Sequence, residues 1–112
     1  MMQPSLFTSV QWTVTGLTRH IRDLVESDIS LQDVWVQGEV SNLSRPASGH
    51  IYFTLKDAGA SLRCVMWKTT ALRLSVGLQD GIAVAVHGKV GVYETGGQYQ
   101  LYADVIRPVG DI

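Results

Sequence analysis

The feature that most constrains the fold is an alternation of apolar and polar residues in short segments from residue 34 onward. A period of two is typical of a β-strand that buries one face. In the first segment Val34, Val36 and Val40 alternate with Trp35, Gln37 and Glu39. Gly38 interrupts this segment and predicts a bulge or a sharp bend. Residues 41–49 are rich in Asn, Ser, Pro and Gly and predict a loop.

Two further segments show the same period and are joined by a short turn. Residues 50–56 and 61–67 predict a second and a third strand, with Ile51, Phe53, Leu55, Leu62, Cys64 and Met66 on their apolar faces. The sequence Asp57-Ala58-Gly59 between them favours a tight turn. The three segments therefore predict an antiparallel meander.

The rest of the chain predicts a crossover and two more strands. Residues 68–79 lose the alternation, which favours a short helix or an irregular connection. A fourth strand is expected over residues 82–92, where Gly88 and Gly91 would allow strong bending, and a fifth over residues 98–106. Gly96-Gly97 is expected at the hairpin tip, and Pro108 after the last strand. Five short, bent strands with a crossover after the third predict an oligonucleotide-binding (OB) barrel.

A different period precedes the strands. Leu17, Ile21, Leu24, Val25 and Ile29 recur at steps of three and four, which predicts an amphipathic helix with Thr15 as its N-cap. On the opposite face, Arg19, Arg22, Asp23 and Glu26 are expected to be solvated. We therefore predict a mainly β chain with one domain: an arm over residues 1–13, a helix over 14–30 and the barrel over 31–112.

Composition limits the environment and the partners. The chain has 112 residues and a single cysteine, Cys64, so an intramolecular disulfide is excluded and a reduced, cytoplasmic protein is expected. No apolar run approaches the roughly 20 residues that span a bilayer, so no membrane partner is expected. The net charge is only −1, but residues 45–68 hold four basic residues against one acidic residue. The local field over one face decides phosphate binding, so nucleic acid remains a candidate partner.

The polar faces of the second and third predicted strands form the candidate site. Tyr52, Lys56, Arg63 and Trp67 should point outward, with Arg45 and His50 beside them. Aromatic rings stack on unpaired bases and cations neutralise phosphates, so this pattern predicts single-stranded nucleic acid binding. Lys89 and Tyr93 are further candidates near the hairpin, whereas Tyr99 and Tyr102 are assigned to the barrel or its rim. Exposed aromatics also suit a protein–protein contact, and Trp35 is expected to pack under the helix.

Catalytic chemistry finds little support among the residues. His20, His50 and His87 lack the spacing of a metal site. Cys64 should point into the barrel and has no evident base beside it. We therefore predict no catalytic residue, no metal ligand and no cofactor in this chain.

Two motifs resemble a known family. Residues 34–43 (VWVQGEVSNL) and 45–57 (RPASGHIYFTLKD) are similar to the N-terminal OB domain of the exodeoxyribonuclease VII large subunit. The sequences Gly88-Lys89-Val90 and Gly97-Gln98-Tyr99-Gln100-Leu101 continue the resemblance. It covers the chain from about residue 12 onward.

The resemblance implies a role within a larger enzyme. The parent enzyme would consist of a large subunit and several small subunits, and it would degrade single-stranded DNA to oligonucleotides. Its catalytic region would lie further along the large subunit, outside this chain. The OB domain would contribute DNA binding. The alternative, from a different class, is an OB-type interaction module that mediates assembly or self-association.

Overall fold

The computed structural model describes residues 9–109, which form a helix followed by a closed five-stranded barrel. The elements are helix α1 (Val14–Ser27), a 3-10 turn (Ile29–Leu31), strands β1 (Val34–Ser44), β2 (Ile51–Lys56) and β3 (Ser61–Met66), helix α2 (Lys68–Ala71), and strands β4 (Ala83–Tyr93) and β5 (Gln98–Pro108). The strand order around the barrel is β1-β2-β3-β5-β4. This architecture confirms the predicted OB fold. Residues 1–8 of the predicted arm lie outside the described residues.

Strand β1 closes the barrel because it pairs with two neighbours in succession. Its first half, through Glu39, pairs with β4, and its second half, from Glu39, pairs with β2. At Gly38 an added Cβ would lie 2.8 Å from the carbonyl oxygen of Lys56, so the backbones approach too closely for a side chain. The β1–β4 register runs through Gly38 without a break, so the predicted bulge there is wrong. The irregularity lies between Ser41 and Ser44, and the strand extends into the predicted loop.

The core follows the alternation expected from the sequence. The buried apolar residues of the three first strands include Val40, Ile51, Phe53, Leu55, Cys64 and Met66, and β4 and β5 add Val84, Val86, Leu101 and Ile106. One outward position, Val65, is also buried, with 3% of its surface exposed. Val65 pairs with Tyr52 on one side and Tyr102 on the other, so large neighbouring side chains cover it.

Strands β4 and β5 are bent where the sequence places Gly88. The partner of His87 is Val105, whereas the partner of Gly88 is Ala103, so Asp104 is an extra residue in β5. An added Cβ at Gly88 would lie 2.1 Å from the carbonyl oxygen of Tyr102. Glycine is therefore required here by close backbone approach.

Helix α1 differs from the expectation in its N-cap and in its C-terminal end. Its N-cap is Thr13 rather than Thr15, because the Thr13 hydroxyl accepts a hydrogen bond from the Gly16 amide at 2.9 Å. It ends at Ser27, and Ile29 lies in the following 3-10 turn. No residue of α1 is buried, although the helix contacts β4.

The sequence suggested that the basic residues of α1 are solvated, but both of them form ion pairs with another part of the chain. Arg19 pairs with Glu94 in the β4–β5 hairpin at 3.0 Å, and Arg22 pairs with the same carboxylate. These pairs lower the pKa of Glu94, and the side-chain hydrogen bond from Arg19 is the largest cause. The helix is thereby tied to the hairpin at the edge of the barrel.

Trp35 also has other neighbours than those expected. It lies on the outer face of β1, 47% exposed, with its ring 5.1 Å from that of His87. The guanidinium carbon of Arg107 lies 4.5 Å from the centre of the Trp35 ring. These contacts involve β4 and β5 rather than the helix.

Within residues 9–109, no helix has the length and apolar character needed to cross a bilayer.

Candidate nucleic-acid interface

The outer faces of β2 and β3 lie side by side, as the sequence predicted. The antiparallel register pairs Tyr52 with Val65, Thr54 with Arg63 and Lys56 with Ser61. Tyr52 is half-buried, and Arg63 and Lys56 are exposed. Their inward neighbours are all apolar, so sheet pleating leaves the aromatic ring and both cations on one surface.

A groove of about 490 Å³ runs over this surface. It is lined by Asn42 and Ser44 of β1, by Tyr52, Phe53 and Thr54 of β2, and by Arg63 and Cys64 of β3. The sequence interpretation missed Asn42 and Ser44 because it placed both in a loop. Asn42 has φ +52°, a left-handed conformation that asparagine tolerates better than most residues. The β1 irregularity therefore brings polar side chains to the groove.

A cluster of four rings borders the groove. The His50 ring lies 5.1 Å from the Trp67 ring and 6.4 Å from the Tyr52 ring, both edge-on. The Trp67 ring lies 5.9 Å from that of Tyr102. His50 also has a structural task, because its Nδ1 accepts a hydrogen bond from the Lys68 amide at 2.9 Å. Because Nδ1 is the acceptor in this bond, Nε2 is the ring nitrogen left to act as a donor.

Tyr102 is an aromatic residue that the sequence interpretation did not assign to the site. It lies between the inward residues Leu101 and Ala103, so its side chain belongs to the outer face. An added Cβ at Gly91 would lie 2.6 Å from Cε2 of Tyr102, which means that the ring packs directly over this glycine. The strand alternation around Leu101 carried the signal that could have placed Tyr102 outside.

A second groove, of about 320 Å³, continues the surface toward the β4–β5 hairpin. It shares Thr54 and Arg63 with the first groove and adds Ser61, Gly97, Gln98 and Tyr99. Tyr99 is 62% exposed. Arg63 therefore lies at the junction of the two grooves. From this position its guanidinium group can contact a ligand that follows either groove.

The remaining candidates are more scattered. Arg45 donates a hydrogen bond to the carbonyl oxygen of Leu78 at 3.2 Å, which holds it against the crossover connection. Lys89 is exposed on β4 and pairs in register with Tyr102. Tyr93 packs over Gly96 within the hairpin and lines neither groove. The structure thus brings together Tyr52, Arg63, His50 and Trp67, and places Tyr93 apart from them.

Two properties of the described residues concern reactive side chains and metal ligands. Burial raises the pKa of the Cys64 thiol to about 12, so its nucleophilic thiolate form is disfavoured. Across residues 9–109, no set of three or more His, Cys, Asp and Glu side chains is placed to hold a metal ion.

A separate polar cluster lies on the β1–β4–β5 side of the barrel. His87 contacts the carboxylates of Asp104 at 2.6 Å and Asp33 at 2.5 Å. These hydrogen bonds raise the pKa of His87, with Asp104 the larger cause. Both ring nitrogens face carboxylate oxygens, so the geometry favours the doubly protonated imidazolium.

Comparisons with known proteins agree with this architecture. Residues 12–107 match the family described as the OB-fold nucleic acid binding domain. The chain is 52% identical over 99 residues to the exodeoxyribonuclease 7 large subunits of Pseudomonas fluorescens and Pseudomonas aeruginosa. That match covers 88% of the chain and 21% of each relative. The chain therefore spans about a fifth of the length of these relatives.

Two solved structures share this fold. A replication protein A heterotrimer bound to single-stranded DNA matches with TM-score 0.58 and 19% identity, covering 73% of this chain and 61% of the other. The Stn1–Ten1 complex of Schizosaccharomyces pombe matches with TM-score 0.60 and 20% identity, covering 71% and 60%. At these identities the likeness shows the fold alone.

Proposed function

Because the chain belongs to the family of OB-fold nucleic acid binding domains, we propose that it binds single-stranded DNA across the outer face of β2 and β3. The observation that carries the proposal is the pairing of aromatic and cationic side chains on one surface. Tyr52 lies beside Arg63 over a continuous groove, and Trp67 extends the ring cluster. An unpaired base can stack on the rings while its phosphates meet the cations.

Magnitudes favour a weak and salt-dependent complex. Each stacked base contributes about 1–3 kcal/mol to binding, and this face offers few rings. The cations Arg63, Lys56 and Arg45 release counterions from the phosphates, so affinity should fall as salt rises. We expect the isolated domain to hold only a few nucleotides.

In the full protein, this domain would present single-stranded DNA to a catalytic region outside the present chain. The 52% identity to exodeoxyribonuclease 7 large subunits supports a parent enzyme of that type. The parent would hydrolyse single-stranded DNA to oligonucleotides in the cytoplasm, together with small subunits that contact other parts of the large subunit. The 112 residues would then supply binding rather than bond cleavage.

One observation favours the second candidate, an OB-type module for protein assembly. The apolar side chains Leu17, Ile21 and Leu24 of α1 are exposed, and an apolar groove lies between α1, β4 and Tyr99. Exposed apolar surface often marks a protein contact. This surface lies beside the β2–β3 face, so both activities are compatible with one barrel.

Titration of labelled oligonucleotides separates the two candidates. Oligo-dT, a duplex and an RNA of equal length are titrated at two salt concentrations with the wild type, Tyr52→Ala and Arg63→Glu. Loss of one stacked base should weaken oligo-dT binding by roughly fivefold or more in Tyr52→Ala. Arg63→Glu should weaken binding and also reduce the salt slope by about 1.

A charge reversal elsewhere provides the control. Arg73 is exposed near α2 and lines a different cavity, with Thr70 and Val105. Arg73→Glu should leave oligo-dT affinity close to that of the wild type. Equal affinity for duplex and single strand, or wild-type binding by Tyr52→Ala and Arg63→Glu, would contradict the proposal. Concentration-dependent self-association without any DNA response would favour the assembly module.

A further inference from the structure

A cleft of about 410 Å³ extends the proposed DNA-binding face beyond β3, toward the C-terminal end of α1. Its walls include Trp67 and Tyr102, and its polar groups come from Glu26, Gln32 and Lys89. Trp67 and Tyr102 also belong to the ring cluster of the β2–β3 face, so the cleft is continuous with that face. We propose that this cleft accepts one nucleobase and selects a base that carries an amino group.

The aromatic wall suits the flat face of a base. The Trp67 and Tyr102 rings are separated by 5.9 Å between centres and inclined by 31°. Gly91 lies directly under the Tyr102 ring and also lines the cleft. Because this position has no side chain, the ring can pack against the backbone of β4. The Tyr102 hydroxyl accepts a hydrogen bond from the Gln100 amide at 3.0 Å, which fixes the ring orientation. A base therefore meets an ordered stacking surface.

The polar wall presents acceptors. Nε2 of Gln32 donates to the carbonyl oxygens of Val25 at 3.2 Å and Val90 at 3.0 Å, which uses both amide hydrogens. This arrangement leaves the Gln32 Oε1 atom to accept a hydrogen bond. Glu26 adds a carboxylate, whose oxygens accept hydrogen bonds. The two side chains that face a bound base therefore call for donors on that base.

The charges determine which part of the nucleotide enters. A phosphate beside Glu26 would be repelled, whereas the exocyclic amino group of a base is a neutral donor. Lys89, exposed on β4, can hold the phosphate of the same nucleotide at the mouth of the cleft. Cytosine offers an N4 amino group where uracil has a carbonyl oxygen, and a carboxylate is a known acceptor for this amino group. We therefore expect the cleft to prefer cytosine to uracil.

This inference rests on the proposed single-strand binding, and one titration tests it. Fluorescently labelled oligo-dC and oligo-dU of nine nucleotides are titrated with the 112-residue chain at neutral pH. A charged hydrogen bond in a half-open cleft predicts about fivefold tighter binding of oligo-dC. Glu26→Ala should bring the two affinities close to equality without weakening oligo-dU, because its removal takes away an acceptor and a negative charge.

A matched control comes from the same helix. Asp23 is an exposed carboxylate one turn before Glu26 and pairs with Arg22 at 2.8 Å. Asp23→Ala changes the net charge equally and should keep the preference for oligo-dC. Tyr102→Leu should weaken the binding of both oligonucleotides and reduce the preference for oligo-dC. The circular dichroism spectrum of this variant checks that it is folded.

The outcomes separate the two hypotheses. If neither oligonucleotide binds, the proposed function fails and the cleft inference fails with it. If both bind equally, or if Glu26→Ala keeps the wild-type ratio, the amino-base cleft is refuted while single-strand binding stands. If Asp23→Ala loses the preference as fully as Glu26→Ala, general charge rather than the cleft explains the ratio, which also overturns the inference.

Discussion

Two glycines of β4, three residues apart, provide a test of how the barrel supports its surface. At Gly88 an added Cβ would lie 2.1 Å from the backbone oxygen of Tyr102, whereas ordinary contact begins at 3.4 Å. In Gly88→Ala the two strands would therefore have to separate by about 1 Å next to the β5 bulge. Overpacking of this kind costs about 3 kcal/mol when the obstacle is backbone.

Gly91→Ala introduces the same methyl group, but here the nearest atoms belong to a side chain that can move. Its added Cβ would lie 2.6 Å from Cε2 of Tyr102, a side-chain atom that can rotate away. We expect a loss of about 1 kcal/mol in the free energy of unfolding, at the lower end of overpacking costs. The displaced ring would no longer present the same face, so oligo-dC and oligo-dT binding should weaken about fivefold, a loss near the value of one stacked base.

Thermal unfolding and oligonucleotide titration measure the two effects separately. For a domain of this size 1 kcal/mol shifts Tm by about 4–8 °C, so Gly88→Ala should lower Tm by more than about 10 °C and Gly91→Ala by much less. Gly77→Ala is the control, since nothing lies within 4 Å of its added Cβ. A Gly88→Ala variant that melts at the wild-type temperature would show that the backbone approach at Gly88 does not require glycine. Undiminished DNA binding by Gly91→Ala would remove Tyr102 from the proposed stacking surface.

Two further predictions concern stability. The pKa of His87 is raised first by Asp104 and then by Asp33, so its stabilising effect is complete below the unfolded pKa of about 6.5 and is lost as pH rises through the folded pKa. Urea unfolding at a series of pH values should show this decline in the wild type and a flatter profile in His87→Gln; identical profiles would contradict the linkage. Thr13→Ala should remove the N-cap and destabilise α1 by about 1 kcal/mol, with Thr15→Ala as a control of nearly unchanged stability. Equal losses in both variants, measured by amide hydrogen exchange in α1, would show that the cap assignment is incorrect.

The candidate site was predictable where it depends on strand alternation alone. Tyr52, Lys56 and Arg63 lie outward because Phe53, Leu55 and Cys64 are buried, and the sequence displays this pattern directly. Tyr102 follows the same rule in β5, yet its assignment required knowing that β5 lies next to β3. The paired residues of the parallel strands β3 and β5 lie 37 positions apart in the chain, so no local pattern reveals the pairing.

Other parts of the surface depend on contacts that have no periodicity. Glu26 and Gln32 reach the cleft only because α1 crosses the barrel beside β4, where Gln32 bonds the carbonyl oxygen of Val90. The pairs of Arg19 and Arg22 with Glu94 likewise join segments more than 70 residues apart. A helical period indicates which residues share a face, but it cannot indicate what that face contacts.

The sequence by itself determined the mainly β class, the number of strands and the inward or outward direction of most strand residues. These properties follow from a period of two and from turn residues, both of which act over a few neighbouring positions. Only the tertiary structure decided the β3–β5 pairing, the bulge at Asp104, the close approaches at Gly38 and Gly88, and the cleft beside α1. Those features arise when distant segments pack against one another, and closure of the barrel, rather than local preference, sets their geometry.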